Sequence, residues 1–291
     1  MFVDKMSVLG LARKVRGGPN RSLARTISLL SAQSDYARAM PVLCNSLPKS
    51  GTHLLLQILR ALPGTRYFNG FIASVPTRPY RERTLSKQVR MINRVAPREV
   101  MPAHLFYHPV IEMNLSRKHF IHFFIYRDPR DVIISDMHHV TYRVPYHGLH
   151  SLFVDECSSD DERITLAIKG APTHRKDIEF PDIAARVERY KRWITHPDVL
   201  SVRFEELRGD SLPDLVRKIV LHYVTRSNQD VDVEAAVSAS LTAIAPARSP
   251  TFRTGETGQW RKIMTDQQRR LVKEIAGSIL IELGYEKDWD W

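Results

Sequence analysis

A chain of 291 residues that is 43 % hydrophobic and 26 % charged can bury a large core and is too apolar for a disordered or fibrous protein. Its two cysteines, Cys44 and Cys157, exclude a disulfide framework and a cysteine-rich metal site, and they fit a reducing, cytoplasmic compartment. The formal net charge of +11 favours an anionic ligand such as a nucleotide, an acidic glycan, nucleic acid or an anionic membrane surface.

The first thirty residues hold six basic side chains and one acid, Asp4. Residues 1–40 therefore read as a basic arm or helix, suited at most to peripheral contact with a membrane. No apolar run reaches the roughly 18 residues of a membrane span. Val42–Leu47 reads as a strand that runs into a helix from His53 to Ala61, which the "PG" at 63–64 stops. Residues 65–100 are basic and irregular, broken by Pro76, Pro79 and Pro97. His119–Tyr126 is a second strand, followed by a helix from Pro129. Residues 143–180, with "DECSSDDER" and "KGAPTH", read as a mobile polar cover.

Further on, Ile183, Val187, Tyr190 and Ile194 share one helical face, and "DVLSVRF" at 198–204 is a third strand. Asp210-Ser211-Leu212-Pro213 opens another helix, and two more fit 232–244 and 265–283. Short apolar strands alternating with helices predict an α/β protein, with helices on both sides of a central, mostly parallel sheet. Residues 41–291 are expected to form one domain, since no stretch of them reads as a linker.

"LCNSLPKSGTHLLLQILRAL", residues 43–62, carries Lys49, Ser50, Gly51 and Thr52 between strand and helix. The phosphate loop of ATP and GTP enzymes puts its lysine after the second glycine; here the lysine precedes the glycine. A strand running into a helix still aims unpaired N–H groups and the helix dipole at an anion. Gly51 lets backbone approach, Ser50 and Thr52 add hydroxyls, and Lys49 adds charge. A second strand–helix junction, "IHFFIYRDPRDVIISDMHH" at 121–139, places Arg127 at the strand end and Ser135 along the helix. Asp128 fits the N-cap, Pro129 the first helical position and Asp131 the third, an acidic capping box. Two such junctions suit a nucleotide phosphorylated at two places. A third basic, glycine-containing loop, "SPTFRTGETGQWRK", spans 249–262.

"LPKSGTHLL", "YRDPRDVIIS" and "FRTGETGQWRK", in this order, resemble the three nucleotide-binding signatures of sulfotransferases, over about residues 42–285. That family uses 3′-phosphoadenosine 5′-phosphosulfate (PAPS) on a P-loop-like fold. The resemblance implies that Lys49, Ser50, Gly51, Thr52 and His53 bind the 5′-phosphosulfate end. It implies that Arg127 and Ser135 grip the 3′-phosphate, that Arg253, Thr254 and Gly255 close over it, and that Phe204 lies beside the adenine. Leu54 stands where many cytosolic members carry a base-stacking tryptophan. No magnesium is implied, since a sulfuryl group carries less charge than a phosphoryl group.

The family's general base sits in a "K-x-H-L-P"-like segment, and "PAHLFYHP" at 102–109 fills that place with His104 and Leu105. The implied roles are His104 as base and Lys49 as donor to the departing oxygen, with His108 as the rival base. Tyr107, His108, Tyr142, Tyr146 and Phe153 are candidates to line the site of the acceptor, a small metabolite or glycan bearing a hydroxyl or amine. Two other readings compete: an ATP-dependent small-molecule kinase or NTPase with an atypical phosphate loop, and a non-enzymatic polyanion binder.

Overall fold

The computed structural model describes residues 19–171, 178–245 and 255–291. Helices α1 (19–30) and α2 (Gln33–Arg38) lead into β1 (Val42–Ser46) and α3 (Thr52–Arg60). β2 (Ile72–Ala73), α4 (Leu85–Ile92), β3 (Val100–His104) and α5 (Pro109–Arg117) follow. Next come β4 (Ile121–Tyr126), α6 (Pro129–His138), one π-helical turn (His139–Arg143), α7 (His150–Asp155), α8 (Asp160–Lys169) and α9 (Ile183–Ile194). β5 (Val199–Arg203) completes the sheet, and a short 3-10 turn (Phe204–Arg208) leaves it. The chain ends with α10 (Leu212–Ser227), α11 (Val233–Thr242), the single turn α12 (Trp260–Ile263) and α13 (Asp266–Glu282).

The five strands lie in the order β2-β3-β1-β4-β5, every pair parallel. β1 and β4 are buried at every position, as strands covered on both faces must be. Successive side chains alternate between two cores. Leu43, Phe124 and Tyr126 face one, with Ile183 and Val187 of α9 and Val272 of α13. Val42, Cys44, Phe123 and Ile125 face the other, with Leu55 of α3 and Val216 and Tyr223 of α10. The expected three-layer architecture is the one observed. Because all strands run the same way, their carboxyl ends open on a single edge, where ligands of such sheets bind.

Three stretches differ from expectation. Residues 65–100 are not wholly irregular: α4 lies within them, and Val100 begins β3, between β2 and β1. Within 143–180, α7 and α8 bury Leu152, Phe153, Ile164 and Ile168 in the core, so those helices are structural rather than a polar cover. The arm is anchored from residue 19 onward: Arg21 pairs with buried Glu99, and Tyr36 Oη donates to the Val95 carbonyl at 3.0 Å. Among the described residues no helix is long and apolar enough to cross a membrane.

Candidate active site

β1 delivers the first loop. Lys49 has φ 66° and Gly51 φ 92°; these two left-handed residues turn the chain sharply from strand into α3. Such strain in a non-glycine residue persists where surrounding contacts fix it, typically at functional sites. Gly51 is the N-cap of α3, so the helix starts at Thr52, one residue before the expected His53. The first N–H groups of α3 thus have no partner within the helix. A β-carbon at Gly51 would come within 2.5 Å of the Phe204 ring, so only glycine fits. Gly51→Ala combines a wrong-handed backbone with a core clash, at roughly 2–4 kcal/mol. It is expected to lower the melting temperature and weaken nucleotide binding at least ~10-fold by the same disturbance, read by thermal denaturation with and without nucleotide.

β4, the neighbour of β1, delivers Arg127. Its guanidinium lies 4.5 Å over the Phe204 ring, which the turn after β5 presents. Phe204 thus separates the Gly51 loop from Arg127. Asp128 caps α6 by accepting the Arg130 N–H at 2.9 Å, with Pro129 at the helix start. Asp131 does something that sequence reasoning missed. Instead of closing a capping box, its carboxylate accepts from Arg127 Nη2 at 3.2 Å, the Gly258 N–H at 2.7 Å and the Trp260 N–H at 3.2 Å. Arg127 Nη2 also donates to the Glu256 carbonyl at 2.5 Å. The second and third motifs are therefore one unit, joined through a buried carboxylate. Arg130, also missed, is buried among Asp128, Glu286 and the Trp260 ring, tying the C-terminal segment to α6.

Ser50 Oγ and Arg127 Nε are buried donors with no protein partner among the described residues. With Lys49 and the α3 N-terminus, they fit a phosphate-bearing ligand. Ser135 lies half-buried along α6, and His53 in the first turn of α3. Gly255 has φ 65° at the start of the third loop; Arg253 and Thr254 fall outside the described residues.

β3 delivers His104. Its Nδ1 lies 3.1 Å from the Ser46 carbonyl and 2.9 Å from Ser46 Oγ. A carbonyl only accepts, so Nδ1 carries the proton and Nε2 presents a lone pair. Ser46 Oγ lies 2.7 Å from Thr52 Oγ1, and thus links the histidine to the phosphate loop. Burial, then the nearby His53 and Lys49, lowers the His104 pKa to about 4. The ring is neutral at neutral pH.

His104 and Lys49 share a cavity of about 140 Å³, walled by Tyr80, Phe106, His139, His147 and Tyr190 among others. None of the five expected acceptor residues lines it. Tyr107 Oη donates to Glu112 at 2.7 Å, and His108 caps α5 by accepting the Val110 N–H at 3.1 Å. Tyr142 and Tyr146 are exposed, while Phe153 is core. With its Nδ1 used as a cap and its ring off the cavity wall, His108 is not placed to rival His104.

Burial also lowers the pKa of His122 to about 3, of His147 and His222 to about 4, and of His139 to about 2. A depressed folded-state value means stability that is present above the unfolded pKa near 6.5 and lost as pH falls below it. The melting temperature is expected to fall by roughly 10 °C between pH 7 and pH 5, in a calorimetric scan.

The sulfotransferase-domain family profile matches residues 40–284. A flavonol 4′-sulfotransferase of Flaveria chlorifolia is 24 % identical over 88 % of this chain and 84 % of its own. A mouse sulfotransferase, SULT7A1, solved with PAP, superposes with a TM-score of 0.55 at 20 % identity, covering 91 % of this chain and 95 % of its own. A retinol dehydratase solved with androsterone and PAP gives 0.54 at 14 % identity, covering 90 % and 85 %. With the family profile spanning all three loops, the parallel sheet and His104, this chain belongs to the sulfotransferase family.

Proposed function

We propose that this sulfotransferase moves the sulfuryl group of PAPS to a hydroxyl of a small-molecule acceptor, with His104 as general base. The observation that carries the base assignment is the Ser46 carbonyl, which holds the His104 proton on Nδ1 and leaves Nε2 basic in the cavity that Lys49 also lines. PAPS is the co-substrate. When bound it supplies an activated sulfuryl group whose leaving group is a phosphate. Lys49, Ser50, the Gly51–His53 backbone and the α3 dipole hold its 5′ end. Arg127, Ser135 and the loop from Gly255 hold its 3′-phosphate, and Phe204 lies between. Arg253 and Thr254 are assigned to the same loop.

His104 Nε2 takes the proton as the acceptor oxygen attacks, and Ser46 steadies the imidazolium that results. The Lys49 ammonium stabilises charge as it develops on the departing oxygen. The free, buried cysteines support a reducing, cytoplasmic setting. Transfer of labelled sulfate from PAPS to a simple phenol, in buffer containing a chelator, tests the reading. Product formation is expected; transfer of phosphate from ATP instead, dependent on magnesium, would replace it with the kinase reading.

A further inference from the structure

The cavity around His104 has more hydrogen-bonding capacity than the transfer uses. His139 and His147 line it beside Lys49. His139 begins the π-helical turn that ends α6, a distortion that frequently marks functional positions. Its ring lies 6.0 Å from that of His147 at 80°. His147 Nδ1 accepts the Leu149 N–H at 3.1 Å, so its Nε2 carries the proton. Neither ring nitrogen of His139 meets a hydrogen-bond partner among the described residues.

Besides Lys49, the charged groups of the wall are paired with one another. Asp136 binds Arg186 at 2.8 Å, and Glu179 binds Arg189 at 2.6 Å. Burial and the Lys49 charge keep both cavity imidazoles neutral. Neutral imidazoles that donate and accept match a neutral hydroxyl better than an ammonium or carboxylate. Much of the remaining wall is aromatic, with Tyr80, Phe106 and Tyr190. The volume of about 140 Å³ is close to that of a cavity that admits one benzene ring.

We propose that the ring entering this cavity carries two hydroxyls: one is sulfated beside His104, and His139 binds the other. The acceptor class is then a dihydroxylated arene of catechol or resorcinol type, and His139 is the specificity-determining residue. The inference rests on the sulfotransferase reading above. A site with a buried polar group discriminates against analogues that leave it unpaired, here by about 10- to 100-fold in kcat/KM.

The test compares 4-methylphenol, 4-methylcatechol and 5-methylresorcinol at saturating PAPS, with wild type, His139→Phe and His139→Gln. Wild type is expected to favour at least one dihydroxy acceptor by about 10- to 100-fold. His139→Phe should bring that ratio close to one, and His139→Gln, which keeps a donor and an acceptor, should retain most of it. Equal use of all three acceptors by wild type overturns the proposal. So does a His139→Phe variant that loses activity equally on each, which would mark a role in transfer or folding. PAP titration of the same preparations separates the two levels. Uptake of PAP with no transfer to any of the three overturns the acceptor class alone, whereas no uptake overturns the sulfotransferase reading on which it rests.

Discussion

His104→Ala is expected to lower kcat by about 10³-fold while leaving PAP affinity within about twofold, the size of effect seen when a positioned general base is removed. The split follows from where the residue stands. β3 brings His104 to the sheet edge, where it contacts Ser46 and the Phe71 ring, 4.9 Å away, rather than Arg127. Removing the imidazole leaves the Gly51 turn and the Arg127–Asp131 unit intact, so the nucleotide end of the site keeps its donors. The depressed pKa adds a second signature. With protonation near pH 4, the acid limb of kcat/KM should fall below pH 5 rather than near 6.5. His108→Ala should cost helix α5 its cap and little turnover. Near-normal turnover by His104→Ala, read in single-turnover assays, would remove the base assignment.

Arg127→Ala is expected to raise the dissociation constant for PAP by roughly 100-fold, because a charge-assisted pair of hydrogen bonds to phosphate is lost. Asp131 still holds the Gly258 and Trp260 N–H groups in this variant, so the third loop stays docked and the fold survives. Arg127→Lys should not rescue it. Lysine offers a point charge, whereas the site uses the planar fork to contact Asp131, the Glu256 carbonyl and the Phe204 ring together. Equilibrium titration with labelled PAP measures both variants. Unchanged affinity in Arg127→Ala would place the 3′-phosphate elsewhere.

Much of the architecture was legible because its signals are local. β1, β4 and β5 are apolar runs, and α6 begins with Asp128 and Pro129, so pattern and cap chemistry agree. β3 was hidden by Pro102, which pairs with Cys44 inside the sheet although a proline cannot donate to the ladder and normally argues against a central strand. α8 was hidden by its acidic first turn, Asp160–Glu162, which masks the Ile164, Ala167 and Ile168 face. The three loops were legible as motifs. Their junction was not: Asp131 meets Gly258 across 127 positions, and no local pattern shows that an aspartate at a helix start turns to a distant loop instead of its own N-cap. The cavity wall was the least legible. Tyr80, His139, His147 and Tyr190 converge from separate elements, and aromatic residues near the motifs in sequence, such as Tyr107 and Phe153, pack elsewhere.

The most direct measurement is a calorimetric titration, in chelator-containing buffer, of PAP and of adenosine 5′-phosphate into wild type and Arg127→Ala. Two strand ends that grip opposite ends of one nucleotide predict that wild type binds PAP at least ~100-fold tighter, with the gap largely closed in the variant. Equal affinity for both nucleotides in wild type, or binding that requires magnesium, would contradict that arrangement.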